Sequence, residues 1–439
     1  MIQSSALSEE IGTGTSCRQW TGGVASSRTC TTRMNEEARP SPTLPPPVSR
    51  GTIFLLAAAS ACAVANLYYV QPLLATLGRA LHVAGNGTGI FVTLTQLGYA
   101  AGLFFLVPVG DLVDRRVLIL ALFGLESAAL LAAALSPNAW MFGAASVAIG
   151  VFSVSAQIIV PYAAHMAREE KRGTTVGTVM SGLLLGILCA RTLSGLVSHA
   201  AGWRVVYVLG AALMIVLAAI MWRALPAQPV SGSVRSYGHL LASVVALLPS
   251  QPVLRRRILY GACAFAAFSI FWTCLTFLLS GEPYRYSDAA IGLLGLCGVA
   301  GAAAASFAGR LSDRGWTLAG TGAFLAAAMV SFALSAWGSV SLAGIIAGAL
   351  LLDLGVQGTQ ILNQSQIYRL GAEERSRLTA AYMTPFFLGG AIGSAVSVAA
   401  YRRGGWIAVC VAGAATVCIA LVGWLFEALG RAVFNRTGR

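Results

Sequence analysis

The chain has 439 residues, of which 57% are hydrophobic and only 10% charged, and its mean hydropathy is +0.75. Soluble domains carry about 25% charged residues, so these side chains cannot cover a water-exposed surface, which excludes a soluble multidomain enzyme. The formal net charge of +13 then reflects where cations sit along a membrane-embedded chain, not an affinity for nucleic acid.

Residues 1–51 are polar, rich in Ser, Thr and Pro, and include Pro45-Pro46-Pro47. With no apolar segment before Thr52 they read as a disordered cytoplasmic tail and not as a signal peptide, and Met34 is a second candidate start. From Thr52 onward apolar stretches of about twenty residues recur, each long enough to cross hydrocarbon. The predicted spans are 52–76, 88–109, 117–136, 139–161, 174–198, 203–222, 258–280, 288–309, 317–336, 340–366, 377–400 and 404–426. Segment 223–257, with Pro226, Pro229 and Arg255 to Arg257, is the most polar connection and reads as a cytoplasmic linker. Residues 427–439 form a cytoplasmic C-terminal tail.

Loop cations set the orientation. One side gathers Arg115, Arg116, Arg168, Lys171, Arg172, Arg223, Arg235, Arg255 to Arg257, Arg310, Arg314, Arg369, Arg375 and Arg377, whereas the other has Arg79, Arg204, Arg285, Arg402 and Arg403. Both termini and the linker are therefore expected in the cytoplasm, with the bilayer that of a bacterial inner membrane.

An internal repeat divides the chain. Gly110-x-Leu112-x-Asp114-Arg115 recurs as Gly309-x-Leu311-x-Asp313-Arg314, Glu169-Glu170 as Glu373-Glu374, and Gly202-Trp203 as Gly405-Trp406. All three offsets lie near about 200 residues and fall at like helix boundaries. The expected fold is an all-α membrane protein of twelve transmembrane helices in two pseudo-symmetric six-helix bundles, 52–222 and 258–426. Repeats of this kind put a small-molecule site near the midplane between the halves. One chain then holds a complete pathway, so a monomer is expected to function.

The duplicated Gly-x-Leu-x-Asp-Arg segments resemble the signature loop of the major facilitator superfamily, and the resemblance runs from Thr52 to about Phe426. The loop is shortened, with Val117 directly after Arg115-Arg116. Gly177, Gly186 and Gly195 in the fifth span resemble the family's antiporter motif, with Ala190-Arg191 in place of its Gly-Pro and Ser194 in place of a Gly. Asn66-Leu67-Tyr68-Tyr69, Ala190-Arg191 and the stretch from Asp353 to Gln366 are similar to the drug:proton antiporter branch, near its nucleoside and sugar exporters. The resemblance implies alternating access, efflux powered by the proton gradient with no cofactor, and a cavity lined by the first, fourth, seventh and tenth helices. It also implies a cytoplasmic latch at Gly110, Asp114, Arg115, Gly309, Asp313 and Arg314 that breaks when the halves rock. Import of a small solute by proton symport or by a uniporter stays open.

Asp353 lies inside the tenth apolar run, where a charge is expensive and ionisable residues line cavities or carry protons. Gln357, Gln360 and Gln364 share its helical face and offer donors and acceptors to a polar substrate. A structural hydrogen-bond network between helices is the other reading. Arg191 has no charged counterpart in the second half, where Ala395 aligns. It is expected to bind an anionic group or to act as counter-ion to Asp353, unless it pairs structurally with Glu126. Glu126 itself reads as an interhelical hydrogen-bond partner more than as a coupling group. Substrate contacts are expected from Asn66 and Tyr69 on the first span, Gln157 on the fourth, and Ser269, Trp272, Thr273 and Thr276 on the seventh, with Gln96 beside them.

No Gly-rich phosphate loop is present, which argues against ATP as energy source. The nine Cys lack metal-type spacing, and His82, His165, His199 and His239 are scattered. The sequence therefore points away from an intramembrane enzyme or a metal centre, and no long soluble signalling segment suggests a sensor.

Overall fold

The computed structural model describes residues 49–167, 171–226, 236–370 and 375–437. The N-terminal tail up to residue 48 and the Glu169-Glu170 and Glu373-Glu374 repeat lie outside them. Among the described residues every regular element is helical, as hydrocarbon requires of an open chain whose backbone groups must pair within the segment.

The elements in order are α1 (Arg50–Ala65), α2 (Leu74–Ala80), α3 (Gly89–Phe105), α4 (Arg115–Ala134), α5 (Ala139–Phe152), α6 (Ser155–Met166), α7 (Arg172–Ala201) and α8 (Trp203–Ala224). Then come α9 (Tyr237–Ser250), α10 (Pro252–Ser280), α11 (Asp288–Leu293), α12 (Val299–Asp313), α13 (Thr317–Trp337), α14 (Leu342–Tyr368) and α15 (Arg375–Thr437). Among the described residues nine helices are long and apolar enough to cross a membrane. One of them, α15, is bent in two at Gly404 and Gly405. The first and eighth predicted spans fall short of that length because each is interrupted. The first stops at Ala65 and passes through turns to Leu74, around Pro72, which has no backbone N–H to continue a helix. The eighth is cut by a 3₁₀ segment, Leu294–Gly298, between α11 and α12.

The repeat is visible as packing. In the first half Gly182 and Gly186 of α7 lie on Ala57 and Ala61 of α1, so that an added Cβ would stand 2.4 and 2.2 Å from their carbonyl oxygens. In the second half Gly389 and Gly393 of α15 lie on Ala262 and Ala266 of α10, with the corresponding distances 2.4 and 2.3 Å. Small residues let two backbones touch where lipid offers no hydrophobic drive for association. Gly202 and Gly405 both take positive φ, 90° and 60°, and each sends a buried Trp, Trp203 or Trp406, into its own bundle.

Two predicted boundaries move. The segment 223–257 is not polar throughout: it contains α9, whose Leu240, Val244 and Leu247 are buried along one face. Arg257, expected in the linker, belongs to α10 and is fully buried, its Nη2 donating to Glu427 Oε1 at 3.0 Å. Glu427 also accepts from Tyr260 at 2.9 Å and Arg431 at 2.6 Å, so the last helix continues past 426 and is tied to the start of α10.

Candidate functional site

A cavity of about 260 Å³ lies between the halves. Val64 of α1, Tyr68 just after it, Tyr99 of α3, Gln157 of α6, Met180 and Ile187 of α7, Phe265 and Phe268 of α10, and Phe386 of α15 form its wall, with Gln357, Gln360 and Gln364 of α14. The three glutamines at i, i+3 and i+7 therefore face the same space as Gln157 from the opposite half. Amides that donate and accept, set among aromatic rings, suit a small solute with a polar edge and an apolar face. The wall continues to Ala164, Tyr368 and Thr379, at the helix ends where the loop arginines gather.

Asp353 sits one turn beyond Gln357 on α14 and is 3% exposed. It borders a second, smaller cavity with Arg191, Leu188 and Gly298, and Ile187, Phe268 and Gln357 belong to both cavities. Trp272 connects the two charges: its Nε1 donates to Asp353 Oδ1 at 3.1 Å, and the Arg191 guanidinium lies 4.0 Å from its ring centroid. Arg191 is 2% exposed, stacks near Tyr68 and Phe268 as well, and donates from Nε to Gln71 Oε1 at 2.6 Å. Its Nη2 has no hydrogen-bond partner among the described residues. These ring faces and the neutral amide meet the guanidinium without supplying an opposite charge. Arg191 thus neighbours Asp353 and not Glu126.

Close approach of α7 to the eighth span makes room for this pair. Gly292, Gly295 and Gly298 recur at the three-residue period of a 3₁₀ turn. A Cβ on Gly295 would stand 2.8 Å from Arg191 Cβ, and one on Gly298 would stand 3.3 Å from Asp353 Oδ2. Sequence reasoning missed this strip, although its spacing was available in the chain.

Other predicted contacts lie elsewhere. Asn66 donates to Glu126 at 2.7 Å and Tyr69 approaches Gly210, so both face the interior of the first bundle, while their neighbour Tyr68 faces the cavity. Thr276 donates to the Gln71 carbonyl at 2.7 Å, and Gln96 donates to Ser269 at 3.0 Å, each joining the halves. Gln96 and Ser269 lie in the middle of α3 and α10, whereas the Thr276 bond belongs to a seal at the end of the molecule away from the arginine-rich side. There Thr76 and Ser198 donate to Asp288 at 2.7 and 2.9 Å. Asn86 donates to the Val398 carbonyl at 3.0 Å and accepts from Arg402 at 3.1 Å.

At the opposite end Asp114 caps α4 by accepting from the Arg116 amide at 2.8 Å. Arg115 turns back to Asp111 at 3.0 Å and to the Gly110 carbonyl at 3.1 Å. Asp313 and Arg314 are exposed where α12 ends, and a Cβ on Gly309 would meet nothing within 4 Å. The two copies of the motif therefore differ in local structure: the first begins a helix and the second ends one.

Residues 56–394 match the family described as the Major Facilitator Superfamily. The transporter YgaY of Escherichia coli O157:H7 is 46% identical over 377 residues, covering 86% of this chain and 95% of that one. The transporter SCO4007 of Streptomyces coelicolor is 34% identical over 380 residues, covering 85% and 86%. Among solved structures, a bacterial homologue of the human lysosomal transporter Spinster, in an inward-facing and unoccupied conformation, has a TM-score of 0.62 at 12% identity, covering 87% of this chain and 95% of that chain. The human organic anion transporter MFSD10 has a TM-score of 0.66 at 18% identity, covering 85% and 97%. With its all-helical fold, its duplicated packing and a cavity between the halves, this chain belongs to the Major Facilitator Superfamily and is a multi-pass membrane transporter, not an enzyme.

Proposed function

We propose that this transporter is a proton-coupled exporter of a small polar or amphipathic molecule, of the drug:proton antiporter kind, working by alternating access. The observation that carries the reading is the Asp353–Trp272–Arg191 group, set between the glutamine-lined cavity and the sealed end. A carboxyl there meets substrate space on one side and a fixed cation on the other, which is where a proton and a substrate can compete. Gln157, Gln357, Gln360 and Gln364 bind the solute, and Arg191 serves as counter-ion to Asp353 with its free Nη2 available to a substrate oxygen.

With the twelve spans counted as predicted, the interrupted ones included, the arginine-rich end lies in the cytoplasm of a bacterial cell and both termini with it. The cavity then faces inward, and Asp288, Asn86 and Thr276 belong to the outer seal. The energy source is the proton gradient, without a cofactor, and a monomer suffices. In the outward-open state the Gly110–Arg115 and Gly309–Arg314 segments latch the cytoplasmic side, and the latch breaks when the halves rock.

The test uses proteoliposomes with an imposed pH gradient and labelled nucleosides, sugars and lipophilic cations. Antiport accumulates a substrate on the acidic side. Accumulation on the alkaline side would make the protein a symporter, and equilibration without accumulation would make it a uniporter.

A further inference from the structure

We infer that Glu126 is a second proton-binding site, reached from the central cavity and wired to the two breaks in the helices that line it. Glu126 stands in the middle of α4 and is 0% exposed. Its Oε1 accepts from Asn66 Nδ2 at 2.7 Å and from Ser153 Oγ at 2.6 Å. Its Oε2 is buried and has no hydrogen-bond partner among the described residues. The ionisable groups around it are Cys62 and Tyr69 from the first span and Tyr99 from α3, and none of these supplies a positive charge. A bare carboxylate in such a place carries an uncompensated buried charge, and a proton on Oε2 removes it.

The two donors are not placed at random. Asn66 is the C-cap of α1, where the first span gives way to turns. Ser153 is the C-cap of α5, where the fourth span breaks before α6. Both broken spans line the cavity, through Val64 and Tyr68 on one and Gln157 and Val160 on the other. Loss of the proton turns Oε2 into a second strong acceptor. Asn66 has a second amide hydrogen to offer, and Ser153 divides its one hydroxyl hydrogen between Glu126 and the Ile149 carbonyl at 2.7 Å, so the added charge pulls on both breaks at once. The link to water that we infer is Tyr99, which lines the cavity, lies within electrostatic range of Glu126, and has a buried hydroxyl with no hydrogen-bond partner among the described residues. A hydronium ion in the cavity gives its proton to Oε2, forming one O–H bond and leaving water, and the reverse step returns it.

The reading stands apart from coupling at Asp353 and is tested without substrate. Infrared titration of the protein in lipid, in H₂O and D₂O, reads the C=O stretch of protonated carboxyl groups as pH is varied. A pH-dependent, deuterium-sensitive band that survives Asp353→Asn and is lost in Glu126→Gln supports the site. The amide still accepts from Asn66 and Ser153, so the variant is expected to fold. If it does not, Glu126→Asp keeps the carboxyl and is expected to shift the same band. Identical pH-dependent bands in wild type and Glu126→Gln, or an unshifted spectrum in Glu126→Asp, would overturn the inference. Either result leaves the Asp353 band, and so the coupling proposal, to be judged separately.

Discussion

Trp272 is the residue on which the site's two charges meet, since one ring face carries Arg191 and its Nε1 holds Asp353. Trp272→Phe keeps a face for the guanidinium and deletes the donor. A hydrogen bond to a charged group is worth about 1.5–3 kcal/mol, so pH-driven accumulation is expected to fall roughly tenfold or more. Trp272→Ala removes the cation–π contact as well and is expected to lose more. Initial rates in proteoliposomes check the order, and equal activity in Trp272→Phe and wild type would show that the bond to Asp353 is idle. At this scale the charged and amide residues were legible, because Asp353, Arg191 and the glutamines interrupt apolar runs where polar groups are costly. The contacts of the first span were not. Helical periodicity that assigns Asn66 and Tyr69 to the cavity does not carry through the break after Ala65, and the turns present Tyr68 instead.

Among the elements, α10 and the last helix are held by a buried cluster that hydropathy could not show. A charge at the end of an apolar run reads as a loop residue, and so Arg257 and Glu427 were assigned to the linker and the tail. In the structure Arg257 is 1% exposed and joined to Glu427, with Tyr260 completing the carboxylate's shell. Removing one member of such a pair strands its partner's charge. Glu427→Gln is expected to cost about 3–5 kcal/mol, read as a lower unfolding temperature in detergent. The double variant Arg257→Met with Glu427→Leu is expected to recover most of the loss, and a single variant as stable as wild type would remove the cluster from the account. The glycine contacts are of the small-residue kind any membrane bundle uses, and only the structure tells which helix each glycine meets. The Gly292, Gly295 and Gly298 strip stayed hidden among 49 glycines, since its period belongs to a 3₁₀ turn and not to the α-helix expected there.

For the whole molecule, the duplication read from the chain reappears as equivalent packing of α1 on α7 and of α10 on α15. Transport by rocking of two rigid halves needs interfaces that can part. The hydrogen bonds of Asp288, Asn86 and Thr276 are well suited to that, being neutral or singly charged contacts across the seam. The asymmetry between the halves carries the chemistry: Arg191 and Glu126 belong to the first half, Asp353 and the glutamine stripe to the second. In the proposed mechanism the proton site and most of the substrate amides share α14, with Arg191 and Gln157 facing them from the first half, so occupancy of either bears on the same seam. The most direct measurement is proton release on addition of a nucleoside, sugar or lipophilic cation to purified wild-type protein and to Asp353→Asn. Proton release with one substrate class, lost in the variant while that substrate still binds, is the predicted result. Binding without proton movement in either protein would contradict coupling at Asp353.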